Sequence, residues 1–189
     1  MTIFGDMRAT FREDRATQAA ARLLGFQHGV MNVMKLIKLL YLVDRTALVR
    51  FGRPVTFDSY VSMDNGPVLS QTLDRINEEP DPRRISYWRK YISERQKYEI
   101  RLITAAPNDQ LSPAEEALID EIFGEFGKMD QWQLVDWCHQ HLPEWRHPQG
   151  SALPIRIRDI LLAEGFDDAE AQSVEDALVA EALLDQITK

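Results

Sequence analysis

One stretch, residues 31–51 (MNVMKLIKLLYLVDRTALVRF), restricts the possible folds of this chain more than any other. At helical spacing Val33, Ile37, Leu40, Tyr41, Ala47, Leu48 and Phe51 share one broad apolar face. Met34, Leu36, Leu39, Leu42 and Val43 carry apolar character almost all the way round. A helix of that kind is buried on most sides, so the pattern predicts a central helix wrapped by neighbouring elements. Lys35, Lys38, Asp44, Arg45 and Arg50 are its only polar exits, and long Lys and Arg stems can carry charge to water from a packed element. The apolar run is too short for a membrane span, and Lys35 and Lys38 interrupt it.

A helix needing enclosure requires enough chain to enclose it, and 189 residues with 44% hydrophobic content suit one domain with its own core. The one cysteine, Cys138, leaves no intramolecular disulfide, which fits a reducing compartment. Residues 1–14 lack the apolar core of a signal peptide, so a cytoplasmic protein is expected. Charge is uneven. Residues 1–104 carry 17 Lys/Arg against 12 Asp/Glu, and residues 105–189 carry 5 against 18. The acidic half should repel nucleic acid and favour a basic protein surface, or simply coat solvated helices.

Along the chain, residues 1–13 read as a flexible N-terminus and 14–189 as a single domain, comprising 14–104 and a helical part, 111–189. Residues 14–24 (DRATQAAARLL) read as a first helix. The central helix should stop at Gly52-Arg53-Pro54, where Gly suits a helix end and Pro cannot continue. Residues 56–63 alternate through Phe57, Ser59, Val61 and Met63 as a short strand, and Asp64-Asn65 begins a turn. Gly66-Pro67 should open a helix to about Glu78, stopped by Pro80-Asp81-Pro82. Residues 85–104 resemble a hairpin, with Trp88, Lys90 and Ile92 on one arm and Tyr98, Ile100 and Leu102 on the other. Ser112-Pro113-Ala114-Glu115 is a capped helix start, and Asp130 to Gln133 repeats the pattern. Pro154 should begin a further helix to Gly165, and Asp167 or Asp168 a last one. The fold class is therefore α+β, mainly α: helices around a buried central helix with a small antiparallel sheet or hairpin.

Chemistry is sparse. Cys138 and His139 are adjacent and face different ways on a helix, so they form no local nucleophile–base pair. His139, His141 and His147 near Asp136 lack the i,i+4 spacing that puts two metal ligands on one helical face. No glycine-rich phosphate loop, HExxH, GxSxG or CxxC occurs. The sequence argues against an enzyme, and no metal or cofactor is expected. Arg83, Arg84, Arg89, Lys90, Arg95, Lys97 and Arg101 interleave with Tyr87, Trp88, Tyr91 and Tyr98, which suits either ordinary strand alternation or a nucleic-acid surface.

Three features taken together resemble a known family. Lys35-Leu36-Ile37-Lys38-Leu39-Leu40-Tyr41 is followed by Asp44, then by Phe51-Gly52-Arg53-Pro54, then by Asn65-Gly66-Pro67-Val68. With His139 and Glu144-Trp145 later, this order over roughly 14–165 is similar to the Panacea domain of SocA-like antitoxins. The departure is Cys138, where a small polar residue is more usual. The resemblance implies an antitoxin that binds and neutralises a toxin encoded beside it in a bacterial or prophage toxin–antitoxin system. One branch resembles a proteolytic adaptor delivering its toxin to a ClpXP-type protease. The resemblance makes Lys35, Lys38, Asp64, Asn65, His139 and Trp145 candidate partner-binding residues, and Tyr41, Gly52, Pro54, Gly66 and Pro67 scaffold. The rival reading is a nucleic-acid-binding regulator using residues 83–101.

Overall fold

The computed structural model describes residues 11–79, 83 and 86–187. The expected loose terminus lies mostly outside them, as do Arg84 and the stop at 80–82. The molecule is mainly α with small antiparallel sheets. Its hub is helix α2, Val33–Phe51, in which fourteen of nineteen residues are buried. Helices α1 (Glu13–Phe26), α5 (Pro113–Phe126) and α6 (Gln131–His141) pack on it, with strand β3 (Gly66–Leu69). The predicted enclosed helix is therefore present. Asn32 begins it by accepting from the Met34 and Lys35 amides, and Gly52 ends it at φ 69.

Residues 30 and 31 are not helical. Strand β1, Val30–Asn32, pairs antiparallel with β4, Glu99–Arg101. The other expected hairpin arm is helical instead: Ser86 caps the short helix α4, Tyr87–Tyr91, and places Trp88 in the core. Bridges from Ile92 to Leu102 and from Gln96 to Glu99 are what remain of that hairpin. Its second arm found a partner about 70 residues upstream because β1 supplies a buried Met31 opposite Ile100.

Strand β2, Tyr60–Met63, has the opposite phase from the one expected. Tyr60 and Ser62 are buried, while Val61 is half-buried and Met63 exposed. Phe57, at φ 55, interrupts extended backbone and shifts the alternation. Tyr60 then meets Tyr41 edge-on at 5.6 Å. Gly66-Pro67 does not open a helix. After the Asp64-Asn65 turn it begins β3, which pairs with β2, and helix α3 (Ser70–Asn77) starts only beyond Leu69. Pro67 is accommodated because β3 is an edge strand, where a missing amide costs little. Pro154 likewise lies in a strand, β5 (Leu153–Ile155), on the other side of β2. Helix α7 follows at Ile157–Ala163 and α8 at Asp168–Ile187. Among the described residues no helix is long and apolar enough to cross a membrane.

Candidate interaction site

The polar residues of α2 do not lead outward. Lys35 and Lys38 are 7% and 1% exposed, which corrects their expected surface position. Each amine ends on a backbone carbonyl, Lys35 Nζ on Gly127 O at 2.7 Å and Lys38 Nζ on Pro67 O at 2.8 Å. Burial lowers both amines: Asp130 offsets part of the shift at Lys35, while Lys38, on a neutral carbonyl, is pushed down to about 8. Tyr41 donates to Glu144 Oε1 at 2.9 Å, and Arg45 bridges Glu144 at 2.7 Å and Glu164 at 2.6 Å. Asp44 accepts from the Val55 and Thr56 amides and the Thr56 hydroxyl. The sequence motif thus becomes a row of internal ties from α2 to the elements around it.

Gly66 belongs to the same contact as Lys38. Its φ is 98, and a Cβ there would stand 3.1 Å from Lys38 Nζ. Glycine at this position is required twice, by backbone sign and by the amine beside it. Cys138 packs on the same spot, its thiol pushed up to about 11 by burial.

Above these ties lies a groove of about 730 Å³. Met34, Ile37, Val68 and Leu73 supply apolar lining, with Lys38 among the lining residues. Asp64 and Asn65, both exposed, stand on it together with Met63. Tyr98 and Trp132 also line it, and they are 70% and 55% exposed. Tyr98 is held through its carbonyl, which accepts from Val33 N, and Trp132 sits in the first turn of α6 under the Asp130 cap.

Two further expected residues brace the hairpin from outside the groove. Trp145 Nε1 donates to Met63 O at 2.9 Å, and its ring stacks on His139 at 3.9 Å. Asp64 Oδ1 accepts from Gly150 N, tying the turn to the same loop. The His139 ring lies against the Asp64 backbone, and burial, with the Lys38 charge second, lowers its affinity for a proton. His141 instead stacks on Trp137, so the two histidines face different partners. Among the described residues no group of three or more His, Cys, Asp or Glu is placed to hold a metal ion.

The groove therefore brings together Lys38, Asp64 and Asn65, with His139 and Trp145 behind their turn and Lys35 elsewhere along α2. Sequence reasoning missed Trp132 as a groove residue. Its signal was available: it is a large ring off the Leu134–Val135–Cys138 face that α6 buries. A second cavity, of about 900 Å³, lies by Pro54, Phe57, Ile155 and Leu178 and holds none of the candidate binding residues.

A family model described as antitoxin SocA-like, Panacea domain, matches residues 36–146, narrower than the 14–165 span read from the motifs. No curated protein and no solved structure matches the chain.

Proposed function

We propose that this chain, which belongs to the SocA-like antitoxin family through its Panacea domain, neutralises a cognate protein toxin by direct binding rather than by chemistry. The observation supporting that reading best is the pair of exposed rings, Tyr98 and Trp132, over an apolar groove beside Asp64 and Asn65. Exposed aromatics around a contiguous apolar patch characterise protein-binding faces, and Trp and Tyr dominate their energetics. On this reading Asp64 and Asn65 touch the toxin. Lys35, Lys38, His139 and Trp145 act beneath and behind them, as supports of the binding face.

The test is co-expression with the product of the neighbouring gene. A stable complex and restored growth are expected; a chain that neither binds nor rescues rejects the proposal. Delivery to a ClpXP-type protease is a finer form of the same reading. It predicts that toxin half-life shortens when antitoxin and protease are both present, and an unchanged half-life removes it. The nucleic-acid reading keeps one specific support, in that Lys90 and Arg95 lie over the Tyr87 and Tyr98 rings. Against it, Arg89 is engaged by the Ser93 and Glu78 carbonyls. Affinity for DNA falling steeply with salt would favour it.

A further inference from the structure

We infer that the groove between the Asp64-Asn65 turn, Tyr98 and Trp132 takes an acidic, apolar segment of the partner protein, its side chains against the two rings and its carboxylates facing Arg95. This rests on the toxin-binding reading and adds the chemistry of what is bound.

The arginines of α1, α2 and the turn after α2 are already matched by the acidic part of the chain. Arg15 pairs with Glu115, and Arg22 with Glu116 and Asp120. Arg45 pairs with Glu144 and Glu164, Arg50 with Glu121, and Arg53 with Glu115 and Glu181. The cations beside the groove are different. Arg95 donates to the Lys97 carbonyl and to Asn77, and its guanidinium stands 5.9 Å from the Tyr98 ring. Among the described residues Arg95 is thus held by neutral partners, on an exposed segment that also carries exposed Lys97.

Within the groove Lys38 likewise has a carbonyl and no carboxylate. The groove's own acid, Asp64, accepts from Gly150 N at 3.2 Å, a neutral partner that leaves its charge in place. Outside the lining, exposed Glu94 offsets exposed Lys97, and Glu99 is paired with Arg101. Counted over the charged lining residues, Lys38 and Arg95 against Asp64, the apolar, aromatic trough carries one net positive charge, on a molecule whose net charge is −8. A partner segment that is apolar with flanking Asp or Glu complements it, and would be steered to this face rather than to the acidic helices.

The probe is the purified product of the neighbouring gene, titrated against the full chain and four variants at two salt concentrations. Trp132→Ala and Tyr98→Ala each remove an exposed ring, so the fold is retained. Each should weaken binding by roughly 30-fold. Arg95→Glu should slow association by about tenfold at low salt, with the difference shrinking at high salt. Asp176→Lys, exposed on α8, is the control and should bind as the unmodified chain does. If a complex forms but the ring variants bind normally, the groove is not the site, and toxin binding stands without it. If Arg95→Glu binds more tightly, the partner segment is basic and the inference is overturned. Binding of single-stranded DNA that Arg95→Glu abolishes while the protein complex survives would also overturn it. If no complex forms with any version, both this inference and the toxin-binding reading fall.

Discussion

Asp44 is fully buried, yet it takes two backbone amides and a hydroxyl where the chain leaves α2. Burial outweighs those bonds and pushes its carboxyl up from 3.8 to about 7. Between those values the folded protein holds a proton that the unfolded chain releases. Its contribution is thus complete below 3.8 and is lost as pH rises through 7. Asp58, also raised by burial, acts in the same direction. The urea midpoint should therefore fall as pH is raised across this window. Asp44→Asn keeps an acceptor for the amides without the titration, so its midpoint should change less. An equal slope in both proteins would show that Asp44 is not the group responsible. At this scale the sequence was half-legible. Tyr41 was legible as part of the apolar face and scaffold, whereas Asp44 and Lys38 stood out by spacing but were compatible with a surface position.

Helix starts that carry a reciprocal capping box are the elements most readable from residues alone, because a cap and its partner lie within one turn. Ser112 and Asp130 both form capping boxes, with Glu115 and Gln133 respectively. Replacing either by Ala should cost about 1 kcal/mol, read as a shifted denaturant midpoint at constant slope. Ser112→Ala should cost more than Asp130→Ala, because Ser112 also orients Glu115, whose other oxygen meets Arg15 and Arg53. Equal costs would mean that the Glu115 pairs do not depend on the cap. The hairpin arms and the Pro-led helix starts at Pro67 and Pro154 came out differently. Residues 87–91 became helix because Ser86 caps them locally, while residues 99–101 paired with 30–32.

Across the whole molecule, the contrast between a basic first part and an acidic second part is in part an internal fastening. Glu144 shows its strongest form: a side chain with no exposure, accepting from Tyr41 and Arg45. Glu144→Ala would leave a buried guanidinium with Glu164 alone and should cost about 3–5 kcal/mol. Arg22→Ala breaks part-exposed pairs with Glu116 and Asp120 and should cost under about 1 kcal/mol. Added salt should narrow the deficit of Arg22→Ala and leave that of Glu144→Ala almost unchanged. Two variants with the same cost and the same salt response would remove the distinction between a buried fastening and a surface one.

The residues themselves determined that α2 would be enclosed and that α5 and α6 would start at their caps, since periodicity and capping act over a few residues. Tertiary structure alone decided where Lys35 and Lys38 point. A helix apolar almost all round has no polar face to orient it, so each amine's fate depended on a carbonyl delivered from 92 or 29 residues away. The groove was decided the same way, because its rings and turn come from segments that only the folded core brings side by side.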